Sequence, residues 1–168
     1  MRLSVIIPVR DRVEKLRACL ASLAPQKLAA PWEVLVAIDG GPAAPFEALA
    51  EGAAPLRLLH FPAGGPARAR NLAHAQAKGE IFLYLNDDVT LAPGCLAAHD
   101  RAHREAPGHA AAGNTRWAPR CCTTDFMHWV AHHDDFFYMV EDRADAGWDH
   151  WHTLNASLDR QWIDAGHG

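Results

Sequence analysis

Three polar residues at the end of an apolar segment are the part of this chain best suited to chemistry. Asn86, Asp87 and Asp88 directly follow Ile81–Leu85, a segment made only of apolar and aromatic residues. Carboxylate and amide oxygens are the ligands that Mn²⁺ and Mg²⁺ prefer, and such an ion can bridge the oxygens of a diphosphate. Asp88 is the expected metal ligand. Asn86 is the weaker candidate, because its neutral side chain offers only a carbonyl oxygen.

An arginine-bearing helix is expected just before that segment. Gly65 leads into the predicted helix 67–78, which contains Arg70 and Asn71, and Gly79 is expected to end it. A guanidinium group suits a phosphate because its planar fork donates two hydrogen bonds at once. The glycine turn, the helix that follows it and the acids at the end of the next strand together suit the binding of a nucleoside diphosphate through a divalent cation. The dinucleotide and P-loop fingerprints do not occur in the sequence.

Length, charge and cysteine content narrow the class of protein. The 168 residues fit one domain, and the net charge of −4 excludes a polycation that would hold nucleic acid. No apolar run approaches the roughly 20 residues that cross a bilayer. The four cysteines form no CxxC pair and are expected to be reduced thiols without a special role. A cytoplasmic location is the default, and association with the cytoplasmic face of a membrane stays open.

Short apolar runs alternate with helical patterns along the first two thirds of the chain. Leucines and a valine recur at helical spacing from Val13 to Leu23, and Pro93 is expected to open a helix that runs to about Glu105. A short helix is expected at 46–51. The predicted strands are 3–9, 33–38, 56–61, 81–85 and 110–117.

This alternation predicts an α/β fold with a mostly parallel sheet and helices on both faces. In such sheets ligands bind outside the carboxyl ends of the strands. The sequence is divided here into residues 1–117, expected to bind the ligand, and residues 118–168, which have a different composition. The polar residues expected to converge on one edge of the sheet are Arg10, Asp11, Asp39, Asn86, Asp87 and Asp88.

Taken in order, four stretches make the chain resemble a family 2 glycosyltransferase with the GT-A fold. Residues 4–11 (SVIIPVRD) resemble the opening strand of that family, and residues 36–41 (VAIDGG) its second strand and aspartate turn. The ARN of 69–71 with the NDDV of 86–89 resembles its helix and metal motif. Residues 154–158 (LNASL) through 165–168 (AGHG) resemble its NxSxR segment and the following glycine turn.

The resemblance implies metal-dependent transfer of a sugar from a nucleoside-diphosphate donor, with inversion of the anomeric centre and Mn²⁺ or Mg²⁺ as cofactor. A UDP-sugar is the favoured donor, GDP- and dTDP-sugars stay open, and the expected acceptor is a saccharide, a lipid-linked sugar or a protein. Matching positions assign metal binding to Asp88 and Asn86. They assign binding of the donor nucleotide to Pro8, Val9, Asp11, Asp39, Arg70, Asn71 and Asp87.

Several of these residues also have a plain structural interpretation. Asp11 could cap the following helix, and Asp39 could be an ordinary turn residue before two glycines. Arg70 could be a solvent-facing helix residue. Residues 86–88 could form a solvated turn.

The segment after Trp117 is rich in aromatic residues and histidines. A helix over 125–139 would put His128 and His132 on one face, which suggests a metal site, although a surface or acceptor-side helix is favoured. The aromatic side chains could line an acceptor pocket or simply pack together.

No residue can be matched to the general base of the family, which usually follows a glycine turn such as the one at Gly166. Asp159 also stands where the family often has an arginine. The chain is therefore expected to be a donor-binding half with part of the acceptor region. Two rival functions stay open: a nucleotide-sugar-binding fragment that does not turn over, and, less favoured, a nucleotidyltransferase. The latter usually needs a glycine-rich loop after the first strand, which residues 9–13 lack.

Overall fold

A computed structural model of the protein describes residues 1–49, 55–118, 123–133 and 151–166. Within these residues, six strands form one sheet. The side chains of residues 131–133 are not part of this description. The strands are β1 Leu3–Val9, β2 Trp32–Asp39, β3 Leu56–Phe61, β4 Ile81–Leu85, β5 Ala111–Ala112 and β6 Asn155–Asp159. The helices are α1 Val13–Leu23, α2 Ala44–Glu47, α3 Pro66–His74, α4 Cys95–Glu105, α5 Asp125–His133 and α6 Arg160–Asp164.

The strand order is β3-β2-β1-β4-β6-β5, with β1 at the centre of four parallel strands. β6 pairs antiparallel with β4, so that Asn155 lies beside Leu85 and Asp159 beside Ile81. β5 pairs with β6 over only two residues. The predicted mostly parallel α/β sheet is confirmed.

Both faces of the sheet are covered, because successive residues of the buried strands point in opposite directions. Val5 and Ile7 of β1 belong to a cluster with apolar residues of α1, α2 and α4. Ile6 belongs to a second cluster under α3, where Ala69 and Ala73 are fully buried. These small side chains let α3 lie close to the sheet.

Several predicted boundaries differ from the structure, among them those of β2, which spans Trp32–Asp39 and not 33–38. Asp11 does not cap α1, since Arg12 occupies the N-cap position and makes no side-chain cap hydrogen bond. α2 spans Ala44–Glu47 instead of reaching residue 51, and residues 50–54 are not described. α4 begins at Cys95, after Gly94, so Pro93 precedes the helix. The strand predicted over 110–117 is limited to the two residues of β5.

α3 ends at His74 and not at Lys78, so Gly79 is not the residue that stops it. A Cβ atom at Gly79 would lie 2.5 Å from the backbone nitrogen of Ser4. The Gly79 N–H donates to Ser4 Oγ, and Ser4 Oγ donates to Glu33 Oε1, each at 2.8 Å. Glycine is therefore required here by the close approach to β1.

A second buried polar cluster joins α4 to β6. Both His99 Nδ1 and His103 Nε2 lie 2.8 Å from Ser157 Oγ, and His99 Nε2 lies 3.1 Å from Asn155 Oδ1. Asp159 accepts the Gly108 N–H, and its other oxygen lies 3.3 Å from His103 Nδ1. β6 was not predicted as a strand, since its inner positions carry these polar residues.

Burial weakens proton binding at three histidines of the fold. Burial lowers the pKa of His99 from 6.5 to about 4 and also lowers the pKa of His103. Burial, followed by repulsion from Arg160 and Arg70, lowers the pKa of His74 to about 4. An unfolded histidine, with its ordinary pKa near 6.5, binds the proton more tightly than these folded ones do.

The chain should therefore lose stability between pH 7 and pH 5, because protons favour the unfolded state throughout that window. We expect a loss on the order of 1 kcal/mol per buried histidine, measured by urea unfolding at each pH. His99→Asn should make the decline shallower, and replacing the exposed His109 in the same way should leave it unchanged. A free energy of unfolding that is constant or rises toward pH 5 would contradict this.

Candidate functional site

The carboxyl ends of β1, β2 and β4 lie side by side and carry most of the predicted site residues. Asp39 ends β2, and residues 10–12 and 86–88 follow β1 and β4. The Asn86 N–H donates to the carbonyl of Leu154, the residue just before β6, at 3.3 Å. We call this edge, with the side chains of Arg12, Asp39, Arg70 and residues 86–88, the acidic rim.

The Asp39 carboxylate is buried against the loop that precedes α3. One oxygen accepts the Gly64 N–H at 2.7 Å and the Gly65 N–H at 3.1 Å, and the other accepts the Gly65 N–H at 2.9 Å. Gly40, with a φ of +78°, turns the chain beside it so closely that a Cβ atom would lie 2.9 Å from Ala63 Cβ. Asp39 therefore fixes the position of the loop that begins α3.

Arg12 binds both aspartates that follow β4. Its Nε donates to Asp87 Oδ2 at 3.0 Å, Nη2 donates to Asp87 Oδ1, and Nη1 donates to Asp88 Oδ2 at 2.8 Å. The Asp87 side chain is only 3% exposed, against 38% for Asp88 and 52% for Arg12. Asp88 is thus the carboxylate of the pair that a ligand from solvent can reach.

The electrostatics of the rim follow from this arrangement. Burial raises the pKa of the Asp87 carboxyl above its usual value, and attraction by Arg12 offsets that rise only in part. Burial acts to lower the pKa of Arg12, but attraction by Asp87 and Asp88 outweighs it and raises the value. Burial therefore dominates at Asp87, where it disfavours the charged carboxylate, and the two neighbouring carboxylates dominate at Arg12, where they favour the charged guanidinium.

Arg70 points toward the same acids from α3. Its Nη2 donates to Asn86 Oδ1 at 3.0 Å, whereas its buried Nε has no hydrogen-bond partner among the described residues. Burial lowers its pKa, and the charge of Asp87 acts in the opposite direction. A solvent-facing role for Arg70 is therefore excluded, and a buried N–H without a partner is a position where an anionic oxygen would be stabilised.

The other predicted donor-binding residues lie in different surroundings. Pro8 and Val9 are buried in β1, where they pair with β2 and lie beyond the residues that pair with β4. Asp11 is exposed beside them. Asn71 lies in the wall of a cavity of about 340 Å³ between α3 and α6, lined also by His74 and Arg160.

Arg12 and Arg160 are the residues with defined roles that sequence reasoning missed. Arg160 Nε donates to the Gly79 carbonyl at 2.9 Å, and its guanidinium lies 4.9 Å from the centre of the Phe82 ring. It thus joins α6 to the turn before β4. A signal existed for Arg12, since it follows β1 at the edge where two acids were expected, but its pairing depends on the fold.

The acidic rim fits a divalent cation that a diphosphate helps to hold. Among the residues whose placement is known, no three His, Cys, Asp or Glu side chains form a group that could hold a metal ion. Asp88 offers one exposed carboxylate, and Mg²⁺-type ions are commonly bound by one or two carboxylates with water and substrate phosphates. The Asn86 carbonyl oxygen already accepts from Arg70, so it would have to exchange that partner.

The histidine alternative falls mostly outside the described structure. His128 Nε2 lies 2.9 Å from Thr123 Oγ1, and the side chains of His132 and His133 are not described. Residues 134–150, which hold part of the aromatic segment and the rest of the predicted helix 125–139, also lie outside it. Cys19 and Cys95 are free thiols whose pKa burial raises to about 12 and about 11, respectively. Cys121 and Cys122 are among the residues that are not described.

The strand order and the acidic edge define a GT-A type of α/β fold, and comparisons with known proteins agree. The family model named "Glycosyl transferase family 2" matches residues 4–162. The uncharacterized glycosyltransferase YfnE of Bacillus subtilis is 32% identical over 106 residues, which are 61% of this chain and 27% of YfnE. The chain belongs to glycosyl transferase family 2, which confirms the family predicted from sequence.

Solved structures show the same fold. The S. aureus TarS fragment 1–349 in complex with UDP-GlcNAc matches with a TM-score of 0.58 and 25% identity, over 71% of this chain and 37% of that fragment. Mannosyltransferase PcManGT from Pyrobaculum calidifontis, in complex with GDP-Man and Mn²⁺, matches with a TM-score of 0.67 and 21% identity, over 99% and 47% of the two chains. The chain thus spans less than half the length of each relative.

None of the described helices has the length and apolar character needed to span a membrane.

The anchoring role of Asp39 predicts a specific loss of stability. Asp39→Asn replaces one acceptor oxygen with an NH₂ group that must face a glycine N–H, so we expect the free energy of unfolding to fall by about 1–3 kcal/mol. Asp11→Asn is the matched control, because Asp11 is exposed, and should change it by less than about 0.5 kcal/mol. Urea unfolding measures both, and equal effects of the two substitutions would contradict the role.

Proposed function

We propose that this chain binds a nucleoside-diphosphate sugar at the acidic rim, together with Mn²⁺ or Mg²⁺, as the donor-binding part of a glycosyltransferase. The observation that carries the proposal is the placement of two groups beside Asn86 and Asp87. One is Arg70, whose buried Nε–H has no partner among the described residues, and the other is the exposed Asp88 carboxylate. Family membership supplies the reaction class, and it favours glycosyl transfer over nucleotidyl transfer.

The roles we propose follow from charge and position. Asp88 would hold the metal ion, with Asn86 as a second oxygen after release by Arg70. Arg70 would donate to a phosphate oxygen, and its rigid fork would orient the donor. When bound, the divalent cation supplies a positive charge that stabilises the departing nucleoside diphosphate.

The nucleoside is proposed to lie near the end of β2. Asp39 ends that strand and Asp11 follows the neighbouring β1, so both stand where a base or ribose could be bound. Pro8 and Val9 would shape the floor through their backbone, since their side chains are buried. Asn71 and Asp87 are also proposed to contact the donor. Asn71 lines the cavity beside α6, whereas both oxygens of Asp87 accept hydrogen bonds from Arg12.

A UDP-sugar is the proposed donor, and its complex with TarS is the comparison that supports this choice. A saccharide, a lipid-linked sugar or a protein is the proposed acceptor, and transfer is proposed to invert the anomeric centre on the strength of the family. No general base is assigned among the described residues. The cytoplasm, or the cytoplasmic face of a membrane, is the proposed location.

Removing the proposed metal ligand should abolish the dependence of nucleotide affinity on the metal ion. Asp88→Ala should weaken UDP binding in Mn²⁺ by at least about tenfold, or about 1.4 kcal/mol, because the cation loses its accessible carboxylate. In EDTA the substitution should have little effect. Isothermal titration calorimetry with UDP measures both affinities.

Glu105→Ala is the control for that substitution. Glu105 is an exposed acid at the end of α4, and Asp100 of the same helix binds Arg2 just before β1, at the end of the sheet away from the acidic rim. Its removal should leave UDP affinity unchanged with and without Mn²⁺. If Asp88→Ala binds UDP in Mn²⁺ as tightly as Glu105→Ala does, Asp88 is not the metal ligand.

A further inference from the structure

The Arg12 side chain binds one of the two Asp88 oxygens that a metal ion on Asp88 would use. Its three guanidinium nitrogens donate hydrogen bonds to both Asp87 oxygens and to Asp88 Oδ2, the last at 2.8 Å. A divalent cation is held by carboxylate oxygens at roughly 2.0–2.6 Å. An oxygen that already accepts a charge-assisted hydrogen bond from Arg12 must exchange that partner before it can coordinate an ion.

The two aspartates differ in how firmly they hold Arg12. Asp87 is almost fully buried and takes two of the three hydrogen bonds, in the parallel geometry that makes arginine–carboxylate pairs strong. Asp88 is 38% exposed and takes only one. The fork on Asp87 can therefore persist while the bond to Asp88 breaks, which would leave Asp88 free for a cation.

We propose that Arg12 is a positioning residue that competes directly with the divalent cation for Asp88. Arg12 supplies one positive charge to two carboxylates, so it offsets half of their negative charge when no metal is bound. A nucleoside diphosphate brings further negative charge, which favours addition of the cation. Metal binding would consequently be weak in the free protein and strengthened by the nucleotide. This inference rests on the proposed function, since it takes the acidic rim as the donor site.

Arg10 offers a matched control at almost the same place. It lies two residues before Arg12, is exposed, and forms no ion pair or side-chain hydrogen bond within the described part of the chain. Arg10→Gln and Arg12→Gln remove the same charge from the same edge of the sheet. A difference between them therefore reports contact with the aspartates and not the net charge of the rim.

The experiment is a Mn²⁺ titration of the free protein at fixed ionic strength, with free Mn²⁺ measured by electron paramagnetic resonance. Arg12→Gln should bind Mn²⁺ at least about fivefold more tightly than Arg10→Gln without nucleotide, because the competing donor is gone. UDP should tighten Mn²⁺ binding strongly in the wild type and less in Arg12→Gln. Equal or weaker Mn²⁺ affinity of Arg12→Gln relative to Arg10→Gln overturns the inference.

Arg12→Lys separates contact from charge and serves as a second variant if Arg12→Gln does not fold. Lysine keeps the charge but has no planar fork, so it cannot hold both aspartates in the same way. Tighter Mn²⁺ binding by Arg12→Lys than by the wild type supports direct competition, and unchanged binding overturns it. If the wild type binds Mn²⁺ with UDP and the variants do not differ, only this inference fails. If no protein binds Mn²⁺ even with UDP, the proposed function fails as well.

Discussion

Negative charge gathered at one edge of a parallel sheet has to be compensated, and the rest of the site depends on how this chain does so. Asp87 is almost fully buried at the end of β4, where an unpaired carboxylate would be costly. Arg12 compensates it from the loop after β1, the neighbouring strand. This pairing leaves Asp88 as the accessible acid, two residues after Asn86, which accepts a hydrogen bond from Arg70 of α3.

The fold could be predicted because its central strands are short, apolar and separated by clear helical patterns. Three of the predicted strands agree with β1, β3 and β4 at both ends. The errors arose where tertiary contacts override local pattern. Gly79 resembled a helix stop but serves a close approach to Ser4, and β6 was missed because Asn155 and Ser157 face a histidine cluster.

The site could be predicted in outline but not in its connections. Spacing and resemblance pointed to Asp39, Arg70 and residues 86–88. Asp39 and residues 86–88 lie at the carboxyl ends of β2 and β4, and α3 brings Arg70 to Asn86. Sequence could not show that the Asp39 carboxylate accepts hydrogen bonds from two glycine N–H groups. Nor could it show that Arg12 donates hydrogen bonds to both Asp87 and Asp88. Both facts depend on distances between segments that are far apart in the chain.

The central claim is that the acidic rim binds a nucleoside diphosphate through a divalent cation. A thermal-shift comparison of UDP, GDP, dTDP and ADP, each with Mn²⁺ and with EDTA, tests it most directly. A ligand that binds only the folded state adds about 2.7 kcal/mol at a hundredfold excess over Kd. We predict a clear rise in Tm with UDP in Mn²⁺ that disappears in EDTA. No rise with any nucleotide, or the same rise in EDTA, would contradict the claim.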